Sequence, residues 1–189
     1  MSERHTLRIL GIAGSLRRGS FNAAALQAAQ RLAPTGLTIE LADISGIPLY
    51  NEDVRAAGFP PSVEELRGRI KAADGLLIVT PEYNYSLPGV LKNAIDWASR
   101  PPEQPFAGKP IGIMGASVGA LGTARAQYHL RQVFVFLDGL IMNRPEVMIP
   151  AAAQKFNDQG ELTDGQTRDL LSAYLVAFKD WVSRMKPAA

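Results

Sequence analysis

The sequence predicts a doubly wound α/β fold in which a five-stranded parallel sheet carries helices on both faces. Two observations predict it: short apolar runs bounded by Gly or Pro alternate with helical patterns, and the alternation repeats five times. The run 76–80, LLIVT, is continuously apolar, which is typical of a strand buried on both faces of a sheet. No internal repeat and no long linker divide the chain, so we expect residues 1–189 to form a single domain.

Each element is predicted from its own local pattern. The strands are expected at 7–13, 37–42, 76–80, 110–116 and 140–149. The helices are expected at 21–32, from 62 up to Gly75, at 89–99, at 123–137 and at 164–185. The segment 43–61 is rich in Gly and Pro and is expected to be a loop. After it, Ser62 is predicted to cap the next helix, with Glu65 at the capping-box position.

Composition and charge exclude several classes of protein. Hydrophobic residues make up 47% of the chain and charged residues 20%, and the net charge is only +2. The longest run of basic residues is Arg17-Arg18, so we expect neither a nucleic-acid nor a membrane partner. The absence of cysteine excludes disulfides, a thiolate nucleophile, a Cys-ligated zinc and an iron–sulfur cluster. With no secretory pattern and no apolar stretch near the ~20 residues of a membrane span, we expect a cytoplasmic protein.

The loop 14–22 follows the first strand, at the edge where open parallel sheets bind their ligands. Its small residues expose backbone N–H groups, Ser15 and Ser20 add hydroxyls, and a helix begins directly after it. A helix N-terminus with free N–H groups attracts phosphate. The loop nearly matches a Walker A motif, but Ser20 stands where that motif requires Lys, which disfavours triphosphate chemistry. The alternative is a polar turn that only caps the helix.

Two further loops follow the third and fourth strands. In the loop 81–89, two prolines stiffen the chain, and Tyr83 or Tyr85 could place a ring against a planar ligand. Asn84 offers hydrogen bonds to such a ligand. The alternative is that the loop is only a rigid connection to the next helix. In 117–122, glycines allow close approach of the backbone to a ligand and Ser117 can donate, although glycines also simply end strands. A phosphate cradle, a wall for a flat ring and a backbone floor together fit flavin mononucleotide.

Three segments carry a family resemblance: GSLRRGSFN, LLIVTPEYNYSLPGVLKNAIDW and GASVGALGTARAQYHLR. In this order and spacing they resemble the NAD(P)H-dependent FMN reductase family, in particular its bacterial quinone and chromate reductases, over about residues 7–150. The resemblance implies a flavodoxin-like fold, FMN as cofactor and NADPH or NADH as co-substrate. It also implies a homodimer or homotetramer, with sites beside a subunit contact formed partly by 88–97.

The resemblance also implies which residues bind the cofactor. The FMN phosphate would be held by Ser15, Arg17, Ser20 and Asn22. The flavin ring would be lined by Pro81, Glu82, Tyr83 and Asn84, and closed over from the fourth strand by Ser117 and Gly119. Glu82 is the one acid in these loops, and we expect it mainly to present its backbone. No catalytic side chain and no metal ligand is expected, because the flavin carries the chemistry.

The implied function is hydride transfer from NAD(P)H to a small acceptor in ping-pong order. A quinone is one such acceptor, and relatives also reduce chromate, azo compounds and nitro compounds. Two alternatives remain open at this point: a flavodoxin-type electron carrier without enzyme activity, and a flavin-binding scaffold with little turnover. The chain lacks the strong acidity of flavodoxins, which favours the enzyme.

Residues outside the three loops give two further expectations. His5 and His129 are expected to be structural or solvated, because neither lies in a site loop. Arg125, Tyr128 and Arg131 share one face of the fourth predicted helix, near Glu146. We expect this stripe to form a contact between subunits; the alternatives are solvated surface residues or an internal Arg–Glu pair.

Overall fold

The predicted parallel sheet is present in the computed structural model, which describes residues 6–185. Its strands are β1 (Leu7–Ala13), β2 (Leu37–Ala42), β3 (Gly75–Val79), β4 (Pro110–Ala116), β5 (Leu140–Ile141) and β6 (Val147–Ile149). Its helices are α1 (Phe21–Arg31), α2 (Glu52–Ala56), α3 (Pro61–Ala72), α4 (Gly89–Ala98), α5 (Ala124–Phe136) and α6 (Gly165–Met185), and a single 3₁₀ turn lies at Ala152–Gln154.

The order of the strands determines where a ligand can bind. The sheet runs β2-β1-β3-β4-β5, β6 also pairs with β4, and every pairing is parallel. The chain therefore winds outward from β1 to β2 and then returns past β1 to β3. This is the flavodoxin-like order, and the crevice beyond the carboxyl ends of β1 and β3 is the expected ligand position.

Helices cover the sheet on both faces, as the sequence predicts. Each residue of β3 is buried, and successive side chains point to opposite faces. Leu77 and Val79 join the apolar cluster formed with α1 and α6, whereas Leu76 and Ile78 join the cluster formed with α3, α4 and α5. The continuous apolar run of β3 is thus explained by two apolar layers, one on each side.

The predicted cap of α3 is wrong, although the helix begins within one residue of the expected start. The helix begins at Pro61, its N-cap residue is Pro60, and no side chain caps it. Proline is favoured in the first turn, where its missing N–H has no helical partner. The Ser62 hydroxyl donates instead to the carbonyl of Gly46 at 2.9 Å. At the other end, Gly75 is the first residue of β3 rather than the end of the helix.

The segment 43–61, predicted as a loop, contains the short helix α2. Asn51 caps this helix, because its side-chain Oδ1 accepts the N–H of Asp53 at 2.8 Å. None of the five residues of α2 is buried, so no apolar periodicity marks the helix in the sequence.

The predicted fifth strand is interrupted. Ile141 pairs with Ile111 and Val147 pairs with Met114, so the residues between β5 and β6 loop away from the sheet edge. Pro145 lies in this interruption and has no N–H to donate to a neighbouring strand. Within residues 6–185, no helix is both long enough and apolar enough to cross a membrane.

Candidate functional site

The loops after β1 and β3 meet at the carboxyl edge of the sheet. The N–H of Gly14 donates to the carbonyl of Val79 at 2.8 Å, which joins the ends of the two strands. A Cβ added to Gly14 would lie 3.1 Å from a methyl group of Leu91 and 3.3 Å from the ring of Pro81. The first loop therefore needs a glycine where it passes against the second.

The first loop combines a capped helix with free donors. Ser20 is the N-cap residue of α1, and its Oγ accepts the N–H groups of Asn22 at 3.2 Å and Ala23 at 3.3 Å. The hydroxyl of Ser15 lies 3.4 Å from the N–H of Arg17. Within the described part of the chain, no partner is present for four backbone N–H groups between β1 and α1, those of Ser15, Leu16, Arg18 and Gly19. Free N–H groups beside a helix N-terminus suit a phosphate.

Arg17 is free to contribute to an anion site. Its guanidinium lies 5.5 Å from the ring centroid of Phe21, in a cation–π contact. It pairs with no carboxylate among residues 6–185. Because the side chain is solvent-exposed and carries an uncompensated charge, it can turn toward a bound phosphate.

Asn22 has a different role from the one its position suggests. We expect it among the phosphate ligands, but its side chain is 3% exposed and both polar atoms of its amide are already bonded. Its Nδ2 donates to the carbonyl of Ala116 at 2.9 Å, and its Oδ1 accepts the N–H of Ala116 at 2.9 Å. The amide therefore connects the start of α1 to the end of β4, which fixes the first loop relative to the third.

The second loop forms a tight turn that exposes an aromatic side chain. Tyr83 and Ser86 exchange two backbone hydrogen bonds of 3.0 Å. Between them, Asn84 and Tyr85 both adopt the left-handed conformation, with φ of 49° and 68°. Tyr83 is 50% exposed, and its hydroxyl lies 3.5 Å from the hydroxyl of Ser15. Pro81 is buried beneath the turn, so a stiff wall faces the first loop.

Glu82 does more than present its backbone. Its side chain is 5% exposed, and Oε2 accepts the N–H groups of Arg125 at 3.0 Å and Ala126 at 3.2 Å. The other carboxylate oxygen forms an ion pair with the guanidinium of Arg125. Thr123, the N-cap residue of α5, makes no side-chain cap bond of its own. Glu82 therefore caps α5 from a distant loop, where the helix dipole favours a negative charge.

Two residues of α5 that the sequence reasoning placed elsewhere lie beside the second loop. The guanidinium of Arg125 lies 3.6 Å from the ring centroid of Tyr85, and Nδ1 of His129 lies 3.0 Å from the hydroxyl of Ser86. His129 is exposed and hydrogen-bonded, which agrees with the expected structural or solvated residue, but its partner lies in a site loop. A signal was available: a helix that follows a site loop starts at the same edge of the sheet, so its first two turns lie near the ligand. His5 lies outside the described residues.

The third loop supplies a backbone floor. Gly119 donates its N–H to the hydroxyl of Ser117 at 3.1 Å, and the carbonyl of Ser117 accepts the N–H of Ala152 at 3.0 Å. A Cβ added at Gly115, at the end of β4, would clash with the hydroxyl of Thr123 and the carbonyl of Thr80. The backbone here runs close to its neighbours, and Ser117 is held against the segment after β6.

The stripe on α5 is largely used within the subunit. Arg131 is 15% exposed; it pairs with Glu146 at 3.7 Å and lies 3.3 Å from the carbonyl of Met142. Arg125 is engaged by Glu82. Of the three residues, Tyr128 is the exposed one, at 51%, and its hydroxyl lies 3.5 Å from Glu146. The structure therefore shows the internal Arg–Glu pair, one of the alternatives, while the expected contact between subunits stays a prediction.

The arrangement as a whole fits FMN. The free N–H groups and Arg17 suit its phosphate, and the turn 83–86 provides a wall for its ring. At Ser117 the backbone of the third loop can approach the ring closely. Among residues 6–185, no three His, Asp or Glu residues are grouped as metal ligands would be. The chemistry that this edge can support is therefore binding of a planar, phosphorylated group.

Comparison with known proteins assigns the family. Residues 7–154 match the family model of the NADPH-dependent FMN reductases. The chain is 64% identical over 180 residues to an NAD(P)H-dependent FMN reductase of Pseudomonas aeruginosa, covering 95% of this chain and 97% of that protein. It is 49% identical over 189 residues to a quinone reductase of Escherichia coli strain K12, covering 98% of this chain and all of that protein.

Among solved structures, the flavoenzyme NAD(P)H:(acceptor) oxidoreductase FerB of Paracoccus denitrificans is similar, with a TM-score of 0.87 and 38% identity. The match covers 95% of this chain and 98% of that one. The predicted family, flavodoxin-like fold and oxidoreductase class are confirmed, and so are FMN and a reduced nicotinamide as its cofactor and co-substrate. The chain belongs to the NADPH-dependent FMN reductase family.

Proposed function

We propose that this protein oxidises NADH or NADPH and passes the electrons to a small planar acceptor, most readily a quinone. The observation that supports the acceptor class is the apolar character of the site edge. Each of the three loops exposes large apolar or aromatic side chains, namely Leu16, Tyr83, Tyr85, Val118 and Leu121. A flat, uncharged quinone can bury area against such a rim, which a hydrated ion cannot do.

The same rim argues against chromate as the preferred acceptor. Chromate is a hydrated dianion, and binding it at an apolar edge requires an uncompensated cation to offset its lost hydration. Of the guanidinium groups at this edge, that of Arg17 is assigned to the FMN phosphate, and that of Arg125 is neutralised by Glu82. Azo and nitro compounds are planar and fit the rim better than chromate does.

The cofactor is proposed to lie across the three loops. Its phosphate would be held by Arg17, by the hydroxyls of Ser15 and Ser20, and by the free N–H groups of the first loop. Its ring would be lined by Pro81, Glu82, Tyr83, Asn84, Ser117 and Gly119. These residues would hold and orient the cofactor, whose chemistry when bound would be hydride transfer from the reduced nicotinamide to the acceptor.

We propose a ping-pong order. With FMN lying across the three loops as proposed, one face of its ring would stay open, and the donor and the acceptor would use that face in turn. The carboxylate of Glu82 is already bonded to two N–H groups and a guanidinium, so it is not free for acid–base work. We place the reaction in the cytoplasm, where reduced nicotinamides are produced and consumed.

Spectroscopy and steady-state kinetics test this proposal together. The purified protein is expected to be yellow, to release FMN rather than FAD on denaturation, and to consume NADH or NADPH when a soluble benzoquinone is added. Double-reciprocal plots at several quinone concentrations should be parallel. A protein that fails to bind FMN at micromolar concentration contradicts the cofactor site; converging lines contradict the ping-pong order; and FMN binding without turnover favours the electron carrier or scaffold.

We further propose that the protein is a tetramer in which two dimers associate through the outer face of α5. Phe136 and Val135 are 86% and 79% exposed and, with Tyr128, leave this face apolar. Tyr128→Ala should shift a tetramer toward dimers without removing FMN, because this side chain is not among the proposed cofactor ligands. Light scattering measures the change. A wild-type dimer, or a tetramer unaffected by the substitution, contradicts the assignment of Tyr128.

A further inference from the structure

We propose that Glu82 is a positioning residue, which fixes the loop 81–86 to the first turn of α5 and thereby sets the shape of the wall facing the flavin. The inference rests on the proposed position of FMN at this edge of the sheet. It assigns the side chain of Glu82 a role separate from any contact that its backbone makes with the cofactor.

The carboxylate of Glu82 is built into the structure rather than solvated. It accepts two N–H groups at the start of α5 and pairs with Arg125, while only 5% of the side chain is exposed. A buried carboxylate is tolerated only when hydrogen bonds and an opposite charge replace its lost hydration. The contact spans 43 positions of the chain, so it joins two separate elements rather than closing a local turn.

Two further contacts hold the same loop to the same helix. The ring of Tyr85 lies against the guanidinium of Arg125, and the hydroxyl of Ser86 is bonded to His129. Between the anchors, Asn84 and Tyr85 hold left-handed backbone conformations, which are uncommon for a bulky residue such as Tyr85 and persist where the surroundings support them. Because Glu82 anchors the start of the turn and also holds Arg125, its carboxylate supports two of the three contacts.

Loss of the carboxylate should therefore change the conformation of the loop 81–86 as well as the capping of α5. The single carbonyl oxygen of an amide at position 82 can still accept both N–H groups, but its NH₂ group is a donor and carries no charge, so it cannot balance Arg125. The guanidinium would then be free to leave Tyr85, and the turn could relax toward ordinary backbone conformations. The expected result is weaker binding of FMN and a changed environment of its ring.

Asp164 provides a control outside the three site loops. Its carboxylate accepts the N–H of Thr167 at 2.9 Å in the first turn of α6 and pairs with Lys155 at 3.0 Å. It thus makes the same two types of bond, a helix cap and an ion pair, but contacts none of the three site loops. Asp164→Asn measures how much neutralising a capping carboxylate by itself changes the stability of the protein and its affinity for FMN.

The experiment compares Glu82→Gln, Asp164→Asn and the wild type as apoproteins, with FMN titrated by quenching of its fluorescence. Glu82→Gln should bind FMN about 10-fold more weakly and show an altered visible spectrum, whereas Asp164→Asn should stay within about twofold of the wild type; a 10-fold change corresponds to about 1.4 kcal/mol. The melting temperature of the apoprotein should be lower in both variants than in the wild type.

The outcomes separate this inference from the proposed function. If Glu82→Gln lowers the melting temperature but leaves FMN affinity and spectrum unchanged, Glu82 is structural only and the inference is overturned. If the wild type itself does not bind FMN, the proposed cofactor site fails first. Should Glu82→Gln not fold, Arg125→Gln is the second variant, because it leaves the carboxylate of Glu82 on the N–H groups of the helix. Arg125→Gln should weaken FMN binding about threefold, and unchanged FMN binding would overturn the inference.

Discussion

The first and second loops lie side by side at the edge of the sheet, yet they are stabilised in different ways. In the first loop the main contacts are local, from Ser20 to the next residues of its own helix, and several backbone N–H groups stay free. In the second loop the backbone of Tyr83 and Ser86 is paired, and the side chains reach α5. The difference suits their proposed ligands, since an anion needs unpaired donors and an aromatic ring needs a stiff surface.

The largest effect is expected where the first loop departs from this rule. Asn22→Ala removes two buried hydrogen bonds to Ala116 and leaves a buried N–H and a buried carbonyl without partners. The free energy of unfolding should fall by about 2–6 kcal/mol, at about 1–3 kcal/mol for each of the two buried unsatisfied groups. Urea denaturation of the apoprotein measures it. Gln27→Ala, at an exposed position of the same helix, is the control, and an equal loss in both variants would show that the amide does not hold the loop.

Arg17→Ala sharpens the assignment of the first loop as the anion site. The substitution should weaken FMN binding by about 1.5–3 kcal/mol, the usual range for a hydrogen bond between charged groups. Stability of the apoprotein should change little, because the side chain is exposed. Arg18→Ala is the matched control and should cost less, since we expect only Arg17 to turn toward the phosphate. Equal losses at the two positions contradict the choice of Arg17.

The smallest effect is expected for the local cap. Ser20→Ala removes the oxygen that accepts two N–H groups of α1, and should lower the free energy of unfolding by about 1 kcal/mol. Thermal unfolding measures it, with Ser183→Ala on the exposed side of α6 as the control. If Ser20→Ala destabilises the protein as much as Asn22→Ala, the first loop depends on its cap, and the contrast between local and long-range support is lost.

Much of the fold could be predicted because its signals are local. The bounds of β1, β2 and β4 agree with the apolar runs that predict them. The exceptions have local causes that a pattern of apolar residues does not report. Pro61 sets the start of α3 through its own preference for a first turn, and Pro145 accompanies the interruption of the last predicted strand.

The site could be predicted in part, for the same reason. Hydroxyls, glycines and a helix start mark the first loop within nine residues of sequence. The partners of Glu82 and Asn22, in contrast, lie 43 and 94 positions away along the chain. Which of several carboxylates reaches the start of α5 depends on how the loops pack after folding, and the spacing of residues does not encode it.

The left-handed pair Asn84 and Tyr85 has a consequence for anyone who wishes to change the acceptor by mutagenesis. Glycine and, less well, asparagine or aspartate adopt this backbone easily, whereas β-branched residues do not. A library randomised at these two positions would therefore consist largely of misfolded turns. Leu16, Val118 and Leu121 are exposed and have ordinary backbone conformations, so the diversity that redirects such an enzyme is better placed on the first and third loops.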